Sequence, residues 1–174
     1  MVNVVITGGA GFLGSRLARE LLAAGSLDVA GAGPRPLSGV TLIDRVPVPP
    51  DLAADARVTV ILGDLGELLD PFGPPGPLAG PLAGPLAGAE VIFHLAAAVS
   101  GECEADFDLG MRANLRATES LLASCRALGT GPVVVFASSL AVFGSSGEHP
   151  LPPVIDDHTL PNPQTSYGTH RLCS

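Results

Sequence analysis

Residues 2–14 read VNVVITGGAGFLG, and their reading decides the fold. Val2, Val4, Val5 and Ile6 make a β-branched run, and Leu13, Leu17, Leu21 and Leu22 recur at helical spacing just beyond it. The order is strand, glycine turn, helix. Gly8 lets the backbone bend sharply. Gly11 leaves no side chain between the helix N-terminus and an approaching pyrophosphate, and Gly14 lets helix and strand pack closely. Free N–H groups and the positive end of the helix dipole favour an anion there. The stretch predicts a dinucleotide phosphate site formed by Gly8, Gly11, Phe12, Leu13 and Gly14. Its spacing is GxxGxxG rather than GxGxxG.

The rest of the 174-residue chain extends this pattern. Strand-like runs lie at Val40–Asp44, Val58–Leu62, Val91–Leu95 and Val133–Ala137, and a helical pattern runs over Asp106–Leu128 to a stop at Gly129. Continuous apolar strands are expected where helices cover both faces of a sheet. The expectation is an α/β fold, a doubly wound, Rossmann-like parallel sheet of order 3-2-1-4-5, in one domain spanning 1–174. Gly25–Gly39 reads as an irregular loop. Residues 76–88 repeat GPLA three times, and proline at every fourth position argues against a crossover helix. The expectation for 71–88 is a Pro/Gly low-complexity loop, flexible or polyproline-like.

Composition narrows the function. The net charge is −8, all nine basic residues are Arg, and Lys is absent, which argues against nucleic acid as a partner. No segment reaches the ~18 apolar residues of a membrane span, and no basic region precedes the first apolar stretch as in a signal peptide. Cys103, Cys125 and Cys173 are scattered, as in a reduced cytoplasmic protein, and no Cys/His spacing suggests a metal.

Asp44 ends the second strand, where a carboxylate accepts hydrogen bonds from the adenosine ribose and repels a 2′-phosphate. That favours NAD over NADP, although Arg45 beside it is able to pair with such a phosphate. Asp64 follows the third strand and suits either the adenine amino group, with Leu65 beside it as a further cofactor-binding candidate, or the N-cap of a helix over the residues that follow. His94 reads as a core histidine. Ala96 and Ala97, with Ala98, are small and leave room for a cofactor across the sheet. Ser138-Ser139 and Tyr167 form a second constellation. A tyrosine hydroxyl is a poor base until a nearby cation stabilises its phenolate, and a serine hydroxyl can hold the substrate oxygen while tyrosine moves the proton.

The segments TGGAGFLG, LID, GDL, FHLAA, RANLRATESLL, ASSLAVFG and SYG occur in an order that resembles the extended short-chain dehydrogenase/reductase family, the NAD-dependent sugar epimerases and dehydratases. AVSGECEADFDLG and PQTSYGT look most like its D-erythronate dehydrogenase branch, which oxidises a sugar acid at a secondary alcohol. The resemblance implies NAD as cofactor, a sugar or sugar acid as substrate, and a homo-oligomer as one arrangement. It makes Gly8, Gly11 and Gly14 the pyrophosphate turn, Asp44 and Asp64 the adenosine-side acids, Asn114 an active-site organiser, Ser139 the substrate-orienting serine and Tyr167 the catalytic base or acid.

Two departures accompany it. Arg171 stands where the family has its catalytic lysine, and a planar guanidinium places its donors differently from an ammonium. The chain also stops at Ser174, so the expected domain is incomplete at its C-terminus, without the family's final strands and substrate region. A marginal domain with an exposed sheet edge is then expected. The reading therefore holds two outcomes, an oxidoreductase or epimerase and a truncated, catalytically weak or inactive dinucleotide-binding module.

Overall fold

The apolar runs form the strands that their patterns predict. In the computed structural model, which describes residues 1–69 and 80–174, β1 (Val2–Thr7) is buried throughout except at Asn3. α1 (Phe12–Ala24) follows the glycine turn and ends at Gly25, whose φ of 64° is the left-handed conformation of a helix stop. The other strands are β2 (Ser26–Asp28), β3 (Pro34–Asp44), β4 (Val58–Leu62), β5 (Val91–His94) and β6 (Val133–Phe136). Parallel pairing runs β4–β3–β1–β5–β6. Counting only these five strands along the chain, the order is the expected 3-2-1-4-5.

The described residues fall into two units, Met1–Ala96 with Ser120–Ala137, and Ala97–Glu119 with Ser138–Ser174. All the strands belong to the first. There Val2, Val4, Ile6, Leu42 and Val91 pack in one core with Ala18, Leu21 and Leu22 of α1 and with Leu52 of α2 (Pro50–Ala53). Val5, Ile43 and Ile92 alternate with them and are also buried, so both sheet faces are covered. α3 (Leu65–Leu68) and α4 (Ala83–Gly88) follow β4. The register pairs Thr7 with both Ile43 and His94, which brings the carboxyl ends of the three central strands level.

The second unit is helical. α5 (Ser100–Ala105) precedes α6 (Phe107–Gly110), a π-helical segment (Met111–Arg116) and the start of α7 (Ala117–Ala127). A 3₁₀ turn (Leu140–Val142) and α8 (Ser166–Cys173) complete it, and α8 packs on α5, on the π segment and on the 3₁₀ turn.

Two expectations need correction, and a third is borne out with one added detail. Gly25–Gly39 is not an irregular loop, because β2 and the start of β3 pair antiparallel as a hairpin. Its glycines supply the turn, with φ of 76° at Gly31 and 88° at Gly33, and its prolines sit at the first positions of β3, where a strand tolerates them. Part of the GPLA repeat is helix. Pro85 is the third residue of α4, and a first-turn N–H has no helical partner to lose. Leu82 and Leu86, one turn apart, are 1% and 0% exposed, and the Leu86 N–H donates to the Leu82 carbonyl at 2.9 Å. The remainder of the proposed 71–88 loop, residues 71–79, lies outside the described residues. The 106–128 helix is one helical run interrupted by the π segment, with Asp106 as its N-cap and Gly129, at φ 69°, just past its end.

Among the described residues β6 pairs only with β5, and Val133 and Val135 are 40% and 43% exposed along this edge. No described helix is long and apolar enough to cross a membrane.

Two measurements check this packing. Leu86→Ala is expected to cost about 2–5 kcal/mol in urea unfolding, because it leaves a cavity where the repeat is anchored. The Asp55 carboxyl is pushed down to about 2 by its side-chain hydrogen bond from Arg57, against an ordinary value of about 3.9. Its contribution is thus present above the unfolded-state value and fades as pH falls toward about 2. Carboxyl NMR titration is expected to find the low midpoint and to see it return to the ordinary range in Arg57→Ala.

Candidate functional site

In the first unit the glycine turn is tied to the end of β3. The N–H groups of Gly8 and Gly9 both donate to the Ile43 carbonyl, at 2.8 and 3.1 Å. The next donor, Ala10 N–H, reaches Asp44 Oδ2 at 2.9 Å, while Asp44 Oδ1 accepts from Val46 N–H at 3.2 Å. Asp44 therefore holds the turn as well as ending its strand.

The three motif glycines differ in what constrains them. Gly8 has φ 74°, and a Cβ on it would lie 2.8 Å from the Ala96 nitrogen. A Cβ on Gly14 would lie 2.1 Å from the Gly8 carbonyl oxygen. Both are needed by the protein's own packing. At Gly11 a Cβ would meet only that same oxygen, at 3.3 Å. Gly11 is the N-cap of α1, makes no side-chain cap bond, and is followed by no acidic residue in the first turn. The helix thus opens with backbone donors that no side chain caps, flanked by Phe12 and Leu13, which are 79% and 60% exposed. An anion fits this arrangement.

Asp64 is seen as an N-cap. Its Oδ1 accepts from Gly66 N–H at 2.9 Å and from Glu67 N–H at 3.4 Å, a role worth about 1 kcal/mol. Leu65 is buried as the first residue of α3. His94 is 1% exposed, with Nδ1 2.7 Å from Thr7 Oγ1 and its ring against Phe136, as a core histidine should be. Thr7 was missed from sequence. Its hydroxyl also accepts from Ala96 N–H at 3.2 Å and so ties the segment after β5 to the end of β1; the signal was a polar residue ending a buried strand immediately before Gly8.

In the second unit Asn114 is fully buried and clamps Ala98 at both ends. Its Oδ1 accepts from Ala98 N–H at 2.8 Å, and its Nδ2 donates to the Ala98 carbonyl at 3.1 Å and lies 3.3 Å from Cys103 Sγ. It sits in the π segment, a feature frequent at functional sites. Half-buried Ala97 precedes the clamp. Ser139 caps the 3₁₀ turn, its Oγ accepting from Ala141 N–H at 3.2 Å, which leaves the hydroxyl proton to donate elsewhere.

Tyr167 and Arg171 lie one turn apart on α8. Arg171 is 4% exposed and hydrogen-bonds the Tyr167 side chain; burial pushes the guanidinium below its ordinary value, while Tyr167 and Cys103 act in the opposite direction. Gly168 was not foreseen. A Cβ there would lie 2.2 Å from the Ala141 carbonyl oxygen and 3.0 Å from Pro163 Cβ, so only glycine lets α8 settle against the turn that Ser139 caps. Ser138 Oγ donates to the Arg171 carbonyl at 3.2 Å and holds the other end of the helix. The structure thus places Ser139 and Tyr167 on adjacent elements, with Arg171 in contact with Tyr167. Among the described residues no group of three or more His, Cys, Asp or Glu side chains is arranged to hold a metal.

The sequence profile of the NAD-dependent epimerase/dehydratase family matches residues 81–174. The chain belongs to this family. Among curated relatives, it is 48% identical over 170 residues to the D-erythronate dehydrogenase of Cupriavidus necator and 39% identical over 171 residues to that of Haemophilus influenzae. Each alignment covers 98% of this chain and 47% of the relative, so the chain spans about half the length of these curated relatives. Among solved structures, a nucleoside-diphosphate-sugar epimerase from Agrobacterium tumefaciens superposes with a TM-score of 0.79 at 38% identity, covering 99% of this chain and 46% of that one. MoeE5 in complex with UDP-glucuronic acid and NAD superposes with a TM-score of 0.71 at 30% identity, over 98% of this chain and 46% of that one.

Gly168→Ala is expected to force α8 away from the 3₁₀ turn. The outcome sought is a loss of about 1–3 kcal/mol in thermal or urea unfolding, with a changed fluorescence of Tyr167, the only tyrosine in a chain without tryptophan.

Proposed function

We propose that this chain binds NAD at the glycine turn and takes part in hydride transfer to or from a sugar or sugar acid, with Tyr167 moving the substrate proton. The observation that carries the reading is the pairing of Tyr167 with the buried guanidinium of Arg171 on a helix that Gly168 seats against the Ser139 turn. Support for the cofactor comes from Gly11, the motif glycine whose missing side chain the fold requires least, since a Cβ there would meet only the Gly8 carbonyl oxygen, at 3.3 Å. In this reading the first-turn N–H groups of α1 hold the pyrophosphate, Phe12 and Leu13 border it, and Asp44 faces the adenosine ribose. A carboxylate at that place favours NAD over NADP. Asp64 and Leu65 border the adenine, Asp64 through the carboxylate oxygen its cap leaves over, and Ala96 and Ala97 leave space for the nicotinamide side.

NAD supplies a two-electron hydride acceptor. The chain's residues handle the proton. Ser139 donates a hydrogen bond to the substrate oxygen, Tyr167 takes the hydroxyl proton, and Arg171 stabilises the negative charge that develops on the Tyr167 oxygen. Asn114 acts at one remove, by fixing Ala98. A sugar acid such as D-erythronate is the substrate class favoured by the curated relatives, and three free cysteines accord with a reducing cytoplasmic setting.

A second reading, a binding module with weak or no catalysis, is favoured by Arg171 itself. A guanidinium in place of the family lysine keeps the charge but not the compact donor geometry.

Three variants separate these readings. Millimolar NAD is expected to raise the thermal midpoint of the chain. Gly11→Ala should keep its midpoint without NAD and lose the rise, and an unchanged rise would remove the turn from the cofactor site. With sugar acids, NADH formation should vanish in Tyr167→Phe and climb by about 10²-fold in Arg171→Lys. No gain from lysine, with turnover already present, would show that arginine serves equally well.

A further inference from the structure

α8 is a short helix of eight residues, and helices of that length are held by their caps and packing rather than by propensity. The side chain of its N-cap, Thr165, accepts the Gly168 N–H at 3.0 Å. A second group serves the same terminus from another helix. Glu104, near the end of α5, accepts the Ser166 hydroxyl at 2.7 Å and the Tyr167 N–H at 3.4 Å, both on Oε1. Ser166 Oγ also lies 3.4 Å from the Cys103 carbonyl. These bonds hold the Glu104 carboxyl below the usual carboxylate range, so it is a charged acceptor at neutral pH, the form that a helix N-terminus favours.

α5 is itself held in place. The Glu102 carboxylate caps it by accepting from Val99 N–H at 3.0 Å, and Cys103 Sγ touches the Asn114 amide that clamps Ala98. An unbroken set of hydrogen bonds therefore leads from Ala98 through Asn114 and α5 to the backbone of Tyr167. Resting on the assignment of Tyr167 as the proton-moving group, we propose that Glu104 is a positioning residue that sets the register and tilt of the Tyr167 helix from outside that helix. Asn114 fixes the segment after β5, and Glu104 carries that reference to Tyr167. The partners of the carboxylate are the Ser166 hydroxyl and the Tyr167 N–H. Its part is to hold the first turn of α8 while Gly168 holds the helix face against the 3₁₀ turn.

The single tyrosine and absent tryptophan allow a test independent of turnover, because the near-UV tyrosine circular dichroism band reports on Tyr167 alone. Glu104→Ala is expected to lose most of that band while its far-UV spectrum is kept. Glu104→Gln, which retains an acceptor for both donors, should keep the band. Where NADH formation is measurable, Glu104→Ala should lower kcat by roughly tenfold to a hundredfold with KM little changed, and Glu104→Gln should restore most of it. Ser166→Ala removes the shorter of the two bonds and should weaken the band in the same direction; it decides the matter if Glu104→Ala does not fold. An undiminished tyrosine band in folded Glu104→Ala, or in Ser166→Ala where Glu104→Ala does not fold, overturns the proposal. Absence of NADH formation in the wild-type chain counts against the proposed reaction, and the tyrosine band still decides the role of Glu104.

Discussion

The first unit depends on one close approach of backbone to backbone. The carbonyl oxygen of Gly8 sits where a side chain on Gly14 would have to be, 2.1 Å from the position of its Cβ. Without that contact the first turn of α1 would stand away from the end of β1. Because the approach is made, Gly8 and Gly9 reach the Ile43 carbonyl, Ala10 reaches Asp44, and the turn becomes part of the carboxyl edge of the sheet. The helix that leaves it then covers Val2, Val4 and Ile6. Core packing and a helix end whose first-turn donors no side chain caps are two consequences of the same contact.

The second unit solves a related problem with side-chain hydrogen bonds. The segment after β5 has no strand partners of its own there, and a buried backbone needs its donors and acceptors met. Asn114 does this by taking both polar groups of Ala98, and it also meets Cys103. The Asn114 carbonyl in turn accepts the Thr118 hydroxyl of the next turn, at 2.6 Å. On the other side, the absence of a side chain at Gly168 lets α8 lie on the 3₁₀ turn. Ser139 and Tyr167 are neighbours through a glycine, as the phosphate turn is built through glycines.

Much of this was legible from the chain. The β-branched runs and the glycine turn specify strand, turn and helix locally, and their alternation restricts the sheet to few orders. Ser139, Tyr167 and Asn114 stand out as candidates only through resemblance to a family. Other features were hidden because their cause lies in distant residues. Proline normally breaks a helix, yet at Pro85 the first-turn position makes it harmless, and only burial of Leu82 and Leu86 reveals that the turn begins there. The glycines of 25–39 read as loop because turn glycines and loop glycines look alike until β2 finds β3. Asp64 suited two roles, and the geometry displays its cap.

By itself the sequence determined the kind of protein this is, a parallel α/β sheet opened by a phosphate-type glycine turn, because those properties follow from local sterics and periodicity. Tertiary structure alone decided which glycines the fold packs against most tightly, since the answer rests on what lies within 4 Å of a missing Cβ. It also decided that Arg171 is buried against Tyr167 and that Glu104 reaches the start of the Tyr167 helix across 62 residues of chain. Contacts of that sequence separation leave no local periodicity, so no reading of spacing or propensity contains them.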